Sequence, residues 1–192
     1  MYDKEMHERA AERAMKLMRT RSPLKMGANP VYVNNRCTEI SLEALEPFCP
    51  YIRRNEWNWL NDITIGLGAG FSGMGEVCGG VTGAIIVFGI DISNTFRDTS
   101  VLRLLIGEYT QRFIRDFRTQ FGSVRCIDLL GQHSLEGYLM PGDKTYQTFI
   151  DSGIWKNCPP AMQFSIMYPL PSEYGLDRLL DEMYERIGAK EE

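Results

Sequence analysis

The sequence predicts an all-α fold: a single compact multi-helix domain with an added N-terminal helix. Three observations predict it. Apolar residues recur at helical spacing, most clearly over 99–121, where Leu102, Leu105, Ile106, Tyr109, Phe113, Phe117 and Phe121 share one face. Proline and glycine breaks punctuate the periodic segments at lengths that suit helices. No internal repeat, low-complexity tract or linker divides the 192 residues, and a hydrophobic fraction of 44% is enough for one real core.

Taken in order, Tyr2, Met6, Ala10, Ala14 and Met18 recur every four residues with charges between them. They predict an amphipathic helix over 1–22, stopped by Ser22-Pro23. After a break at 27–30, Asn35 opens a second helix through NNRCTEISLEALEPF, ended by Pro47 and Pro50. A third runs through NEWNWLNDITIGLGAG, with Trp57, Leu60, Thr64 and Leu67 on one side. EVCGGVTGAIIVFGI reads as a fourth, mostly buried, ahead of the long helix at 99–121. Beyond Gly122 come a short helix in SVRCIDLLG and a loop holding Pro141-Gly142-Asp143 that leads to YQTFIDSG. NCPPAMQFSIM, a Pro-Leu-Pro break and a last amphipathic helix in SEYGLDRLLDEMYERIG complete the chain. Only ITIGL and FSIMY could pass individually as strands.

The bulk charge narrows the function classes. A net charge of −4 disfavours binding to nucleic acid or to an anionic membrane. No apolar run is long enough to span a bilayer, and the charged N-terminal stretch lacks a secretory core, so a cytoplasmic protein is expected. With only His7 and His133, a Ser-His-Asp hydrolase is a poor fit. His7 is read as solvated, and His133 as a capping residue before a helper in proton-coupled redox chemistry. Arg112, Arg115 and Arg118 are read as a solvated helix face. Trp57, Trp59, Phe113, Phe117 and Phe121 are core candidates that could also shield a cofactor from water.

The stretch ITIGLGAGFSGMGEVCGG poses a choice. Gly68-x-Gly70-x-x-Gly73, with Asp91 about twenty residues on, resembles a dinucleotide-binding turn. That fold needs alternating strands, which nothing downstream supplies, and its helix would hold three glycines. NAD is therefore disfavoured. Gly75, Gly79 and Gly83 instead lie four apart, predicting one bare helix face that another backbone or a bulky inorganic group can approach.

Five cysteines stand at 37, 49, 78, 126 and 158. Their odd number and wide spacing argue against a disulfide scaffold, and without Cys-x-x-Cys-His there is no c-type haem attachment. Cys37 follows Asn35, Cys78 follows Gly75-Glu76, Cys126 lies three residues after Ser123, and Cys158 precedes Pro159-Pro160. All four thus fall at predicted helix N-termini, where N–H donors and the helix dipole favour thiolate, metal ligation and redox exchange. Cys49, between Phe48 and Pro50 at a helix C-terminus, reads as a small buried hydrophobe. From spacing alone, a shared four-thiol site and four separately buried thiols both stay open.

On these residues the chain resembles the C-GCAxxG-C-C family of redox-active proteins. The motif match is Cys78-Gly79-Gly80-Val81-Thr82-Gly83, with Gly80 where the motif has alanine. The other family cysteines correspond to Cys37 in NNRCTEI, Cys126 in SVRCIDLLG and Cys158 in KNCPPAM. The likeness is strongest over 70–131 and looser over 33–187, a four-cysteine helical domain to which helix 1–22 is an addition. The family is similar to the cluster-bearing part of split-Soret cytochromes. The resemblance implies an iron–sulfur cluster, [2Fe–2S] or related, bound by Cys37, Cys78, Cys126 and Cys158. It also implies electron transfer with a partner oxidoreductase or electron carrier, and it leaves a homo-oligomer open. Three other readings stand beside it: metal-free thiol–disulfide chemistry, structural zinc, and a non-redox helical interaction module with inert thiols.

Overall fold

The computed structural model describes residues 3–20, 44–47, 64, 66–95, 99–131 and 158–187. These are all-α. The elements are α1 (Lys4–Thr20), α2 (Gly68–Ser72), α3 (Gly79–Thr95), α4 (Thr99–Phe121), α5 (Cys126–Leu130), α6 (Cys158–Met167), α7 (Pro171–Tyr174) and α8 (Leu176–Ile187). Among the described residues the β-pairing is one isolated bridge, Val77 with Arg125. The long helix has the bounds its periodicity predicts, and most of FSIMY falls inside α6 rather than in a strand. Of the second predicted helix only 44–47 is described, and of the third only Thr64 and the residues from 66 onward. Residues 132–157, with His133 and YQTFIDSG, lie outside the described set.

The core is a layer of α3, α4 and α6. Phe88 of α3 meets Tyr109 of α4 edge-on at 5.0 Å and Phe113 at 5.3 Å. Phe164 of α6 stacks on Phe113 and packs edge-on against Phe117 and Phe121. Edge-to-face pairs of this kind each add about 0.5–1.5 kcal/mol beyond the area they bury. The contacts also fix direction. Gly80, early in α3, faces Ala161, Met162 and Ser165, whereas Phe88, two turns later, meets Tyr168 just past α6. α3 and α6 therefore run in the same sense. α4 runs against α3 and carries the chain back to the beginning of α3.

The N-terminal helix is no loose addition. Its apolar stripe, Met6, Ala10, Ala11 and Ala14, joins Ala44, Leu45, Val87, Met162, Ile166 and Leu170 in a second buried cluster. Alanine on this face lets α1 lie close to α6. Asp3 begins the helix, its Oδ1 accepting the Met6 N–H at 2.9 Å as an N-cap does.

Two local expectations are corrected. The final segment is two helices, because Gly175 takes φ +100 and ends α7 before α8 starts at Leu176. Gly75 does not share a helix face with Gly79 and Gly83: it sits in the turn before α3, at φ +75. Gly68–Ser72, which a dinucleotide fold would use as its glycine turn, is coiled into the short helix α2.

Candidate functional site

The approach to α3 and the approach to α5 lie side by side. Cys78 N–H donates to the Val124 carbonyl at 2.8 Å, Cys126 N–H to the Glu76 carbonyl at 2.6 Å, and Ile127 N–H to the Gly75 carbonyl at 3.0 Å. The first two bonds flank the bridge between Val77 and Arg125, which makes it a non-hydrogen-bonded antiparallel pair. Cys78 and Cys126 are each one residue past that pair. They therefore stand diagonally across this short ribbon. Both are buried, at 5% and 8% exposure.

Each thiol begins a helix, as the sequence predicts, but at different positions. The Cys78 carbonyl accepts the Thr82 N–H at 3.0 Å, which makes Cys78 the N-cap of α3 rather than a first-turn residue. Cys126 is the first residue of α5, with Arg125 as the N-cap. Ser123 is therefore not the cap that spacing predicts. Its hydroxyl accepts the Arg125 N–H at 3.0 Å and donates to the Asp128 carboxylate at 2.6 Å, bracing the turn instead.

Cys158 is the first residue of α6, half-buried, with Pro159 and Pro160 in the first turn as expected. Because α3 and α6 run in the same sense, its end of α6 is also the Cys78 end of α3. Phe121 and Phe164 meet at 5.5 Å near this end, and Phe113 and Phe117 are core residues as the sequence predicts. Cys37, Cys49, Trp57 and Trp59 lie outside the described residues. Among the described residues, no group of three or more His, Cys, Asp or Glu is placed to hold a metal ion.

Two glycines shape this end. A Cβ on Gly70, which has φ +65, would stand 2.4 Å from the Glu76 nitrogen, and the Glu76 N–H donates to the Gly70 carbonyl at 3.0 Å. Only glycine lets α2 fold back onto residues 75–76, and those residues hold Cys126 and Ile127 in place. Gly80 lies against α6: a Cβ there would be 3.1 Å from Met162 Sδ and 3.3 Å from Ser165 Oγ.

Several polar groups act differently from their sequence reading. His7 is fully buried, not solvated. Its Nδ1 meets the Ile166 carbonyl at 2.5 Å and its Nε2 the Glu173 carboxylate at 2.6 Å. Glu173 also accepts the Asp3 N–H at 2.8 Å and the Leu170 N–H at 2.7 Å. Burial pushes the Glu173 carboxyl up, but these hydrogen bonds outweigh it and hold the group below its ordinary value. Asp91, at the spacing of a ribose-binding acid, is buried in α3 and accepts both the backbone N–H and the hydroxyl of Ser172, anchoring α7. Arg112 is not simply solvated: its guanidinium lies over the Tyr174 ring and pairs with Glu182 at 2.9 Å. Histidine at a helical i, i+3 and i+4 position beside Met6, Ala10 and Ala11 is the signal that could have placed His7 on the buried stripe.

Comparison with known proteins adds one match. The family profile described as "Putative redox-active protein (C_GCAxxG_C_C)" covers residues 35–164, which include Cys37, Cys78, Cys126 and Cys158 and end inside α6. No curated protein and no solved structure matches the chain.

Proposed function

The chain belongs to the C_GCAxxG_C_C family, and from that premise we propose that it is a cytoplasmic electron-transfer protein holding an iron–sulfur cluster through Cys37, Cys78, Cys126 and Cys158. The observation that carries this reading is the backbone pairing that sets Cys78 and Cys126 diagonally across one short ribbon. Diagonal neighbours on such a ribbon stand about 7–8 Å apart. A direct disulfide needs Cα atoms at roughly 4.4–6.8 Å. Two thiols across that wider span are better suited to a bridging inorganic group than to each other.

Four thiols are the donor type such a group takes, although Cys78, Cys126 and Cys158 are not themselves grouped to hold a metal ion in this structure. Cys78 and Cys126 are buried thiols on paired segments, Cys158 opens α6 at the same end, and the resemblance makes Cys37, inside the family match, the fourth. A sulfur-only donor set selects soft metals and iron–sulfur clusters over ions that prefer oxygen. When bound, the cluster would supply a one-electron redox couple. The chain's own residues would do the rest. The backbone bonds at Cys78 and Cys126 fix two ligands before binding, and Phe117, Phe121 and Phe164 limit water. No described helix is long and apolar enough to cross a membrane. The counterpart would be an oxidoreductase or electron carrier that docks at this end.

The test is anaerobic purification followed by an absorbance spectrum and analysis of iron and labile sulfide. Brown protein whose iron is lost in Cys78→Ser and Cys126→Ser supports the cluster. Colourless protein carrying zinc would make the thiols a structural site. Colourless, metal-free protein that loses two thiols on mild oxidation would favour thiol–disulfide chemistry between the same cysteines.

A further inference from the structure

We propose that two copies of this chain associate by seating Phe71 and Met74 of one in the groove between α4 and α6 of the other. The turn that carries these residues is unusual. Phe71, in α2, has φ +62 and is the one non-glycine among the described residues in the left-handed region, which Gly70 and Gly73 nearby also occupy. A bulky side chain is disfavoured there, whereas glycine takes that backbone freely. Phe71 gains little burial in return: it is 40% exposed, and Met74, three residues on, is 56% exposed. Glycine at 71 would serve the turn better, so the ring is there for a contact outside the folded chain.

The pair is also held ready. The Met74 N–H donates to the Phe71 carbonyl at 3.2 Å and the Glu76 N–H to the Gly70 carbonyl at 3.0 Å, while the Glu76 and Gly75 carbonyls accept the Cys126 and Ile127 N–H groups. A fixed tip gives up little freedom when it docks. The charge beside it is paired, with Glu76 and Arg125 3.4 Å apart. What fits such a tip is an apolar recess without unpaired charge, and this chain carries one. The groove between α4 and α6, about 330 Å³, is floored by Phe164, Met167, Tyr168 and Pro169 and edged by Asp116 and Gln120. Asp116, the one charged residue lining it, already accepts the Tyr168 hydroxyl at 2.6 Å. Protein interfaces join an apolar centre to a polar rim and are enriched in aromatic and methionine side chains. Phe71 would pack on the rings of Phe164 and Tyr168, with the Met74 sulfur against their edges. The larger cavity beside α1, about 690 Å³, is edged by Glu8, Glu12 and Lys16 and matches the tip less well. Because tip and groove lie on the same chain, a two-fold pair makes the contact twice, and a second copy is the partner that covers both.

The experiment is sedimentation equilibrium of the full chain across a wide concentration range, under reductant so that no intermolecular disulfide contributes. Wild type is expected to self-associate. Phe71→Gly removes the tip and Gln120→Arg blocks the groove, and each should weaken association about tenfold or more, as the loss of one buried anchor does. Circular dichroism should show both folded. Should Phe71→Gly not fold, Met74→Ser takes its place. Mixing the variants tests the contact directly. Phe71→Gly keeps the groove and Gln120→Arg keeps the tip, so a fluorescently labelled sample of one should bind the other more tightly than either binds itself. Wild type that stays monomeric throughout would overturn the proposal. So would association that either variant leaves unchanged, or a mixture that binds no more tightly than the variants alone.

Discussion

Replacing Glu173 with alanine removes the acceptor that joins α1 to α7. His7 is 0% exposed and the Glu173 side chain 11% exposed, with Nε2 and Oε2 2.6 Å apart. Leaving the buried His7 nitrogen without its partner costs about 1–3 kcal/mol. The Leu170 N–H, half-buried, loses a bond to a charged acceptor and adds about 1 kcal/mol. The Asp3 N–H is exposed, so water replaces its partner at little cost. The expected loss is about 2–4 kcal/mol, a sizeable share of a typical domain stability of about 5–15 kcal/mol. Urea unfolding followed by circular dichroism measures it, and a cycle with His7→Leu isolates the coupling between the two side chains. The pH dependence has a definite sign. Glu173 has a folded-state value below its ordinary 4.5. Its stabilisation is therefore complete above that ordinary value and fades as pH falls through the lower folded one. The gap between wild type and variant should shrink in acid. A variant within about 1 kcal/mol of wild type at neutral pH, or a gap unchanged in acid, would refute the pair as the tie between α1 and α7.

Other outcomes follow from particular contacts. Tyr109→Phe removes a fully buried hydroxyl that donates to the Pro169 carbonyl at 2.7 Å, and should cost about 1–2 kcal/mol, seen as a lower Tm. Thr110→Val should raise Tm by a few degrees, since the Thr110 hydroxyl oxygen is buried with no hydrogen-bond partner among the described residues. Gly70→Ala combines a left-handed backbone with a contact to the Glu76 nitrogen, and should cost at least about 2 kcal/mol. Faster hydrogen exchange at the Cys126 and Ile127 amides would show that the damage reaches the thiol ribbon. Unchanged exchange there would separate Gly70 from the site.

Much of the fold was legible because its information is local. The stripe Leu102, Leu105, Ile106, Tyr109, Phe113, Phe117, Phe121 repeats at the period of one helix, and α4 has the predicted bounds. Pro159 and Pro160 suit a first helical turn whatever packs beside them, and Cys158 does open α6. The caps were less legible. Ser123 has the right spacing for an N-cap, yet Arg125, extended at its bridge to Val77, is the cap and α5 starts two residues later. The glycines misled for the same reason. Four-residue spacing puts Gly75, Gly79 and Gly83 on one helix face only if a helix holds all three, and a positive φ takes Gly75 out.

By itself the sequence determined the fold class, the family and the places of Cys78, Cys126 and Cys158 near helix starts. Each follows from periodicity, chain stiffness or residue chemistry within a few positions. Only the tertiary structure decided which distant groups meet. It set Cys78 and Cys126 diagonally across one short ribbon, made Asp91 an anchor for α7, buried His7 against Glu173 and pressed Gly80 against Met162. Such pairings join residues tens to more than a hundred positions apart. They are fixed by which helix faces pack and in which direction, and that is a property of the whole core rather than of any one stretch of chain.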